Sequence, residues 1–424
     1  MHFVDDALFP ELQDKLVITS APYGPEWEPG DFPGDIPVTM EEQIQKGVDA
    51  FNAGATVLHI HVRELDGKGS KRLSKFNELL AGLREAVPEM ILQVGGSISF
   101  SPEGDGAEAK WLSDDTRHML AELDPKPDQV TIAINSNQMN IMELMDADDI
   151  KGTSLERPEL AETYREMTVP ASPSWVAEHL KRLRANGIQP HFQLANVAQL
   201  ETVERLVRRG TYLGPLNITW VAIGGGFDGP SPYNMMEFIR RVPDGASLTL
   251  ESIQRNVLPI NAMATAMGLH TCCGNEDEDT LWGKKGEHAT SVQQIEQIVR
   301  LAGELGREVA TAKEARELYQ IGTYYDDVDD ALRRWSTRSV LLTVALVCWA
   351  TLVPLLLLMT AAHSGGSCTT SSTRALQLTF GAGALVSALA AIGTFAALCT
   401  GPRLRPGQAP PPGSSDRSPV GVPL

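Results

Sequence analysis

Apolar and polar positions alternate with two different periods along residues 15–274. Eight short runs read as buried strands, KLVITS, TVLHIHV, MILQVGG, QVTIAIN, QPHFQLA, NITWVAI, SLTLESI and LHTCCG. Each is a short, mostly apolar run, too short for a helix. Between most of them lie segments with helical spacing and start signals, such as Thr39 before MEEQIQKGVDAFNAG and Ser172-Pro173 before SWVAEHLKRLRANG. Gly54 and Gly187 stand where a helix is capped and the next strand begins. Eight strands alternating with helices predict an α/β fold, a (β/α)8 TIM barrel. A doubly wound sheet is the runner-up, but no GxGxxG follows the first strand. SVQQIEQIVRLAGELG (291–306) and TAKEARELYQIG would close the ring.

Several strands end in residues too polar for a core: His59 and His61 on the second, Ser97 past the third, Asn135 past the fourth and Asn196 past the fifth. In a barrel these ends meet at one mouth. In TVLHIHVR the two histidines share one face of an extended chain, and Leu58, Ile60 and Val62 share the other. Such a pair is either two hydrogen-bonded core histidines or two thirds of a metal site. The eighth strand runs into CGNED, where Glu276 could complete a His2Glu set that leaves one coordination position open, the pattern of a catalytic zinc.

The pattern changes after residue 330. Residues 339–362 and 375–400 are uncharged apolar runs long enough to cross a bilayer, so two transmembrane helices are expected to follow the barrel. Arginines before and after the pair place both ends of this hairpin on the cytoplasmic side. The expected organisation is a barrel over 1–330, a membrane hairpin over 331–402 and a Pro/Gly/Ser-rich disordered tail over 403–424.

Over all 424 residues, 42% hydrophobic content suits a globular protein, and the net charge is −18. From residue 331 onward there are seven arginines against one acidic residue, Asp416, so the acidic excess lies in the barrel. That argues against a nucleic-acid partner. MHFVDDALFPELQ lacks the basic and apolar regions of a secretory signal, so a cytoplasmic barrel is expected. The five cysteines contain no CxxC pair, a pattern that suggests neither a disulfide scaffold nor a cysteine zinc site.

TVLHIHVR, a first loop with APYGPEW, IPVTMEEQ, and CGNED followed by ATAKEAREL together resemble the β-keto acid cleavage enzymes, the family of 3-keto-5-aminohexanoate cleavage enzyme, over roughly residues 15–325. The resemblance implies a (β/α)8 barrel and a homo-oligomer. It also implies a divalent metal, usually Zn2+, on His59, His61 and Glu276, with a β-keto acid and acetyl-CoA as substrates and acetoacetate and a new acyl-CoA as products. Asp277 takes the acid/base position and Glu26 an acidic position facing a substrate amine. Gly225 and Gly226 in GGGFDG could let a CoA thioester approach the backbone.

This sequence departs from the family at several places. The family arginine before the metal glutamate is Cys272 here, STGG appears as VGGSIS with Ser97 as a displaced candidate, and the strand-five glutamate is Gln193. Arg255, after strand seven, could compensate for the missing charge. Cys272 as an acyl-accepting nucleophile is a further reading. Two alternatives to the cleavage enzyme follow: a membrane-tethered metal- or metabolite-binding barrel disabled at position 272, and a zinc-dependent TIM-barrel hydrolase. The hydrolase has only His191 to offer on strand five.

Overall fold

The computed structural model describes residues 1, 3, 5–24, 27–70, 72–95, 98–99, 110–111, 114–276 and 288–335. Eight parallel strands close a barrel: β1 (Ile18–Ser20), β2 (Val57–Ile60), β3 (Ile91–Val94), β4 (Gln129–Ala133), β5 (Gln189–Leu194), β6 (Asn217–Ala222), β7 (Ser247–Ser252) and β8 (His270–Cys273). Each pairs with its neighbours in sequence, and β8 pairs with β1. All eight runs read as strands are therefore barrel strands.

The helices, in chain order, are α1 (Met40–Ala53), α2 (Leu73–Ala86), α3 (Asp114–Met119), α4 (Pro158–Arg165), α5 (Pro173–Asn186), α6 (Val197–Arg208), α7 (Pro232–Arg241), α8 (Val257–Ala266), α9 (Ser291–Glu304), α10 (Ala312–Leu318) and α11 (Val328–Trp335). Their ends follow local chemistry. Thr39 and Glu42 form a reciprocal capping box at α1, and Ser172 caps α5. Gly54 closes α1 in the left-handed region, where a side chain would be strained.

Strand alternation sorts the side chains. Leu58, Ile60, Leu92 and Val94 face outward against Phe76, Leu80 and Ile298 of the helix layer, while Phe192, Leu194, Trp220 and Leu250 do the same on the other half of the ring. The inward positions are mostly polar. The barrel floor is closed by Val17, Val57 and Ile91 packed on Ala315 and Tyr319, from α10 and the residue that caps it. At the mouth the segment from Met139 to Val169, with α4, folds with Trp27, Phe32 and Ile253 into a separate apolar cluster. Sequence periodicity gave no hint of this cover, because it is built from 3-10 turns and a two-residue ribbon, Asn137–Gln138 with Thr168–Val169.

Among the described residues no helix is long and apolar enough to cross a membrane. The spans expected at 339–362 and 375–400, and the tail at 403–424, lie outside the described residues.

Candidate metal centre

β2 carries His59 to the mouth, and the chain leaves the strand with His61. Gln43 of α1 holds that exit, because its Oε1 accepts the Arg63 N–H at 2.9 Å. Arg63 is 3% exposed and donates to the carbonyls of Gly24, Gly67 and Trp27, which pins the first loop to the end of β2. Across the mouth, the turn after β8 brings in Glu276. Gly274 has φ +143°, and a Cβ there would run into the Ala21 carbonyl, so this turn requires glycine. Asn275, 1% exposed, is locked by Asp35, by Ser291 Oγ and by Gln294 Nε2. Glu276 itself donates its N–H to the Ala21 carbonyl at 3.1 Å.

The result is a compact donor set. Glu276 Oε1 lies 3.0 Å from His61 Nε2 and 3.7 Å from His59 Nε2, and the three donor atoms fall within 4.8 Å of one another. Ligands about 2.0–2.2 Å from a tetrahedral zinc stand roughly 3.3 Å apart, so the two measured distances bracket what an ion would impose. Glu276 Oε2 is buried and has no hydrogen-bond partner among the described residues. A carboxylate serving only to satisfy a core histidine would not leave an oxygen orphaned at such cost, so the residues fit a divalent metal. Burial pushes the Glu276 carboxyl above its ordinary range, opposed by the nearby positive charge of His59 and Arg63. His59 is pushed down, chiefly by burial. Gly95 makes room for the ring, since a Cβ there would strike His59 Nε2.

These residues line a cavity of about 110 Å3 whose wall is largely apolar, with Trp27, Met139, Ile141, Val221, Ile223 and Ile253. Gln193 at the top of β5 faces it, as do Arg117, His179 and Glu251. His179 is held well below the usual imidazole range, to about 3, first by burial and then by the charge of His118 and Arg117.

The other expected site residues divide into three groups. Glu26, Ser97 and Asp277 lie outside the described residues. Cys272 is 4% exposed on β8, and alternation turns it inward with His270, whose ring packs on Tyr319. It does not line the mouth cavity. Arg255, Gly225 and Gly226 are used elsewhere. Arg255 pairs with Asp149 at 3.1 Å and Asp146 at 3.4 Å and does not line the cavity. Gly226 donates to the Gln138 carbonyl at 2.8 Å and Gly225 to Glu143, so these N–H groups close a turn and are not offered to a thioester. Asn196 caps α6 and Asn135 donates to Thr202, so neither joins the donor set.

The reading of the sequence missed Gln93, Arg63 and Asn275. The signal for Gln93 was present, a lone amide within the aliphatic run MILQVGG.

A family model described as beta-keto acid cleavage enzyme matches residues 15–321. The "3-keto-5-aminohexanoate cleavage enzyme" of Acetoanaerobium sticklandii is 29% identical over 312 residues, covering 73% of this chain and 99% of that protein. The protein of the same name from Fusobacterium nucleatum is 27% identical, with the same coverage. The "3-oxoadipate:acetyl-CoA acetyltransferase" of Cupriavidus necator is 25% identical, over 67% of this chain and 87% of its own length.

Proposed function

The chain belongs to the β-keto acid cleavage enzymes, and from that membership we propose that it transfers the acyl part of a β-keto acid to the CoA of acetyl-CoA, releasing acetoacetate and a new acyl-CoA. The observation that supports this most directly is the His59–His61–Glu276 donor set at the head of a small apolar cavity. A divalent ion held there, Zn2+ by the donor chemistry, supplies Lewis-acid polarisation of the substrate's keto and carboxylate oxygens. The chain's own residues do the rest. Asp277, next to Glu276, is the proposed base for the proton on C2 of the keto acid. The resulting carbanion forms a bond to the acetyl carbonyl and expels CoA thiolate. That thiolate then adds to the original keto carbon, the C2–C3 bond breaks, and its electrons return to C2, where a proton completes acetoacetate.

Gln193, which faces the cavity from β5, is the proposed hydrogen-bond donor to the substrate, and the apolar part of the wall favours a keto acid with a short side chain. Glu26 and Ser97 remain proposed substrate contacts. Cys272 is where this site is weakest. A buried thiol provides no fixed positive charge, and absence of such a donor costs a factor of about 100 or more in rate.

Cys272 and the engagement of Arg255 with Asp149 also favour a second reading, a barrel that binds metal and metabolite without turnover. The zinc-hydrolase reading gains no support, because His191 donates to or accepts from Thr219 at 2.7 Å and stands apart from the donor set. One experiment separates the two live readings. Zinc-loaded protein is incubated with acetyl-CoA and a panel of β-keto acids, and acetoacetate and a matching CoA ester are followed by mass spectrometry. Formation of both supports the cleavage reaction. Stoichiometric zinc and bound acetyl-CoA without product would turn the conclusion to a binding protein.

On the sequence alone, we also propose that the apolar runs at 339–362 and 375–400 tether the barrel to a membrane, with the hairpin ends in the cytoplasm; the expected boundary at residue 330 falls inside α11, whose Ala331 and Trp335 pack in the barrel core. Recovery of the full chain entirely in the soluble fraction of expressing cells would refute the tether.

A further inference from the structure

His59 must offer the lone pair of one ring nitrogen to a metal, and the barrel interior contains a feature that decides which nitrogen this is. His59, Gln93, Gln129 and Gln189 are register partners on β2, β3, β4 and β5, so they form one inward-pointing row around the ring. All four are buried: the amides are 3% exposed or less and His59 is 6% exposed. Their side chains are linked in series. His59 Nδ1 lies 2.8 Å from Gln93 Oε1, Gln93 Nε2 lies 3.0 Å from Gln129 Oε1, and Gln129 Nε2 lies 3.2 Å from Gln189 Oε1. The series ends at the floor, where Gln189 Nε2 lies 3.0 Å from the main-chain carbonyl of Gln320.

That last contact has only one possible direction. A main-chain carbonyl accepts and never donates, so Gln189 must present its NH2 group to Gln320. Its oxygen then faces back along the row, where a flipped Gln129 would set its own oxygen against it at 3.2 Å, so Gln129 turns the same way and, by the same argument at 3.0 Å, Gln93 after it. Asn217 reinforces the direction, because its two amide hydrogens serve Gln189 Oε1 and the Tyr319 carbonyl, each at 2.9 Å. Reversing the row would set oxygen against oxygen at the floor in a buried site. Gln320 is held for this task in the left-handed region, φ +50°, two residues past the end of α10.

We propose that this one-way row of amides, anchored on the carbonyls that follow α10, holds His59 as the Nδ1–H tautomer and so reserves Nε2 for the metal. Gln93 is a positioning residue in direct contact, and Gln129 and Gln189 act through it. The affinity consequence rests on the metal reading above; the tautomer does not.

The test begins with metal-free full-length protein, 15N-labelled at histidine and observed at pH 8, where long-range proton–nitrogen correlations identify the protonated ring nitrogen of His59. Protonation at Nδ1 is expected, and protonation at Nε2 in the wild-type protein would overturn the proposal whatever the metal does. Gln129→Met then breaks the row without touching His59. A mixture of His59 tautomers and Zn2+ or Co2+ binding weaker by about 3–10-fold are expected, against about 10–100-fold for Gln93→Leu. If Gln93→Leu does not fold, Gln129→Met decides by itself. A folded Gln129→Met protein with an unchanged tautomer and unchanged metal affinity would overturn the relay. Failure of the wild-type protein to bind either metal would instead remove the metal reading, with the tautomer result still standing.

Discussion

The two sides of the barrel mouth are built differently. On the side formed by β8, β1, β2 and β3, the candidate metal donors are held by contacts from distant parts of the chain: Ala21 and Ser291 on the turn that carries Glu276, Gln43 on the exit of β2, and Gln93 on His59. On the opposite side, formed by β5, β6 and β7, the polar groups expected to serve a substrate are engaged locally. Arg255 is paired with Asp149, the glycine turn after β6 with Glu143 and Gln138, and Asn196 with its own helix. What remains facing the cavity there is mostly apolar, with His179, Gln193, Glu251 and Gln254 as the polar exceptions. The lesson is that one side is preorganised for charge and the other for shape.

The sharpest way to break this contrast is to remove a donor. His59→Ala or Glu276→Gln should weaken zinc binding by well over the roughly 100-fold that loss of an outer partner costs, while the barrel still folds. Metal content by mass spectrometry and circular dichroism check the two halves of this statement. Retention of stoichiometric zinc by both variants would show that the donor set is not the metal site.

A gentler attack on the same side is Gly95→Ala, whose methyl occupies the space of the His59 ring. Competition with a chelator should show metal affinity reduced by about 100-fold, comparable with the most damaging outer-partner changes. An affinity equal to wild type would mean that the ring has room the structure does not show.

The opposite side and the interior beneath it can be probed by acid. Burial, followed by neighbouring positive charge, brings His179 and His191 to about 3 in the folded protein. The unfolded chain takes up protons below about pH 6.5 that the native state refuses, so stability is full above that pH and falls as pH drops toward 3. Each histidine should account for about 1–3 kcal/mol of this loss by pH 4, because one pK unit corresponds to about 1.4 kcal/mol. Urea midpoints measured from pH 7.5 to 4 should therefore fall less steeply in His191→Gln than in the parent. Parallel curves would show that His191 is protonated without cost.

The smallest effect is expected at Arg255. Because it serves Asp149 and not the cavity, Arg255→Gln should change kcat/KM by less than about threefold and reduce stability by about 1 kcal/mol. A loss of 100-fold in kcat/KM with unchanged stability would restore it to the substrate site.

The barrel was legible because its information is local. Eight short apolar runs, punctuated by caps such as Thr39 and Gly54, each specify an element, and the barrel pairs them in their sequence order. The donor set was legible in part: His59 and His61 share a strand face, and Glu276 follows the strand that closes the ring. The cover from Met139 to Val169 was not legible, since apart from the two turns of α4 its short turns and two-residue strands have no period to detect.

The sequence by itself determined the elements, their order and which residue types could bind a metal, because propensity, capping and alternation act between near neighbours. Only the tertiary structure decided which carboxylate Arg255 pairs with, that Glu276 Oε2 is buried without a partner among the described residues, and that Gln93, Gln129 and Gln189 form one row ending on Gln320. Those relations join residues up to 131 positions apart. They depend on ring closure and strand register, which no local pattern encodes.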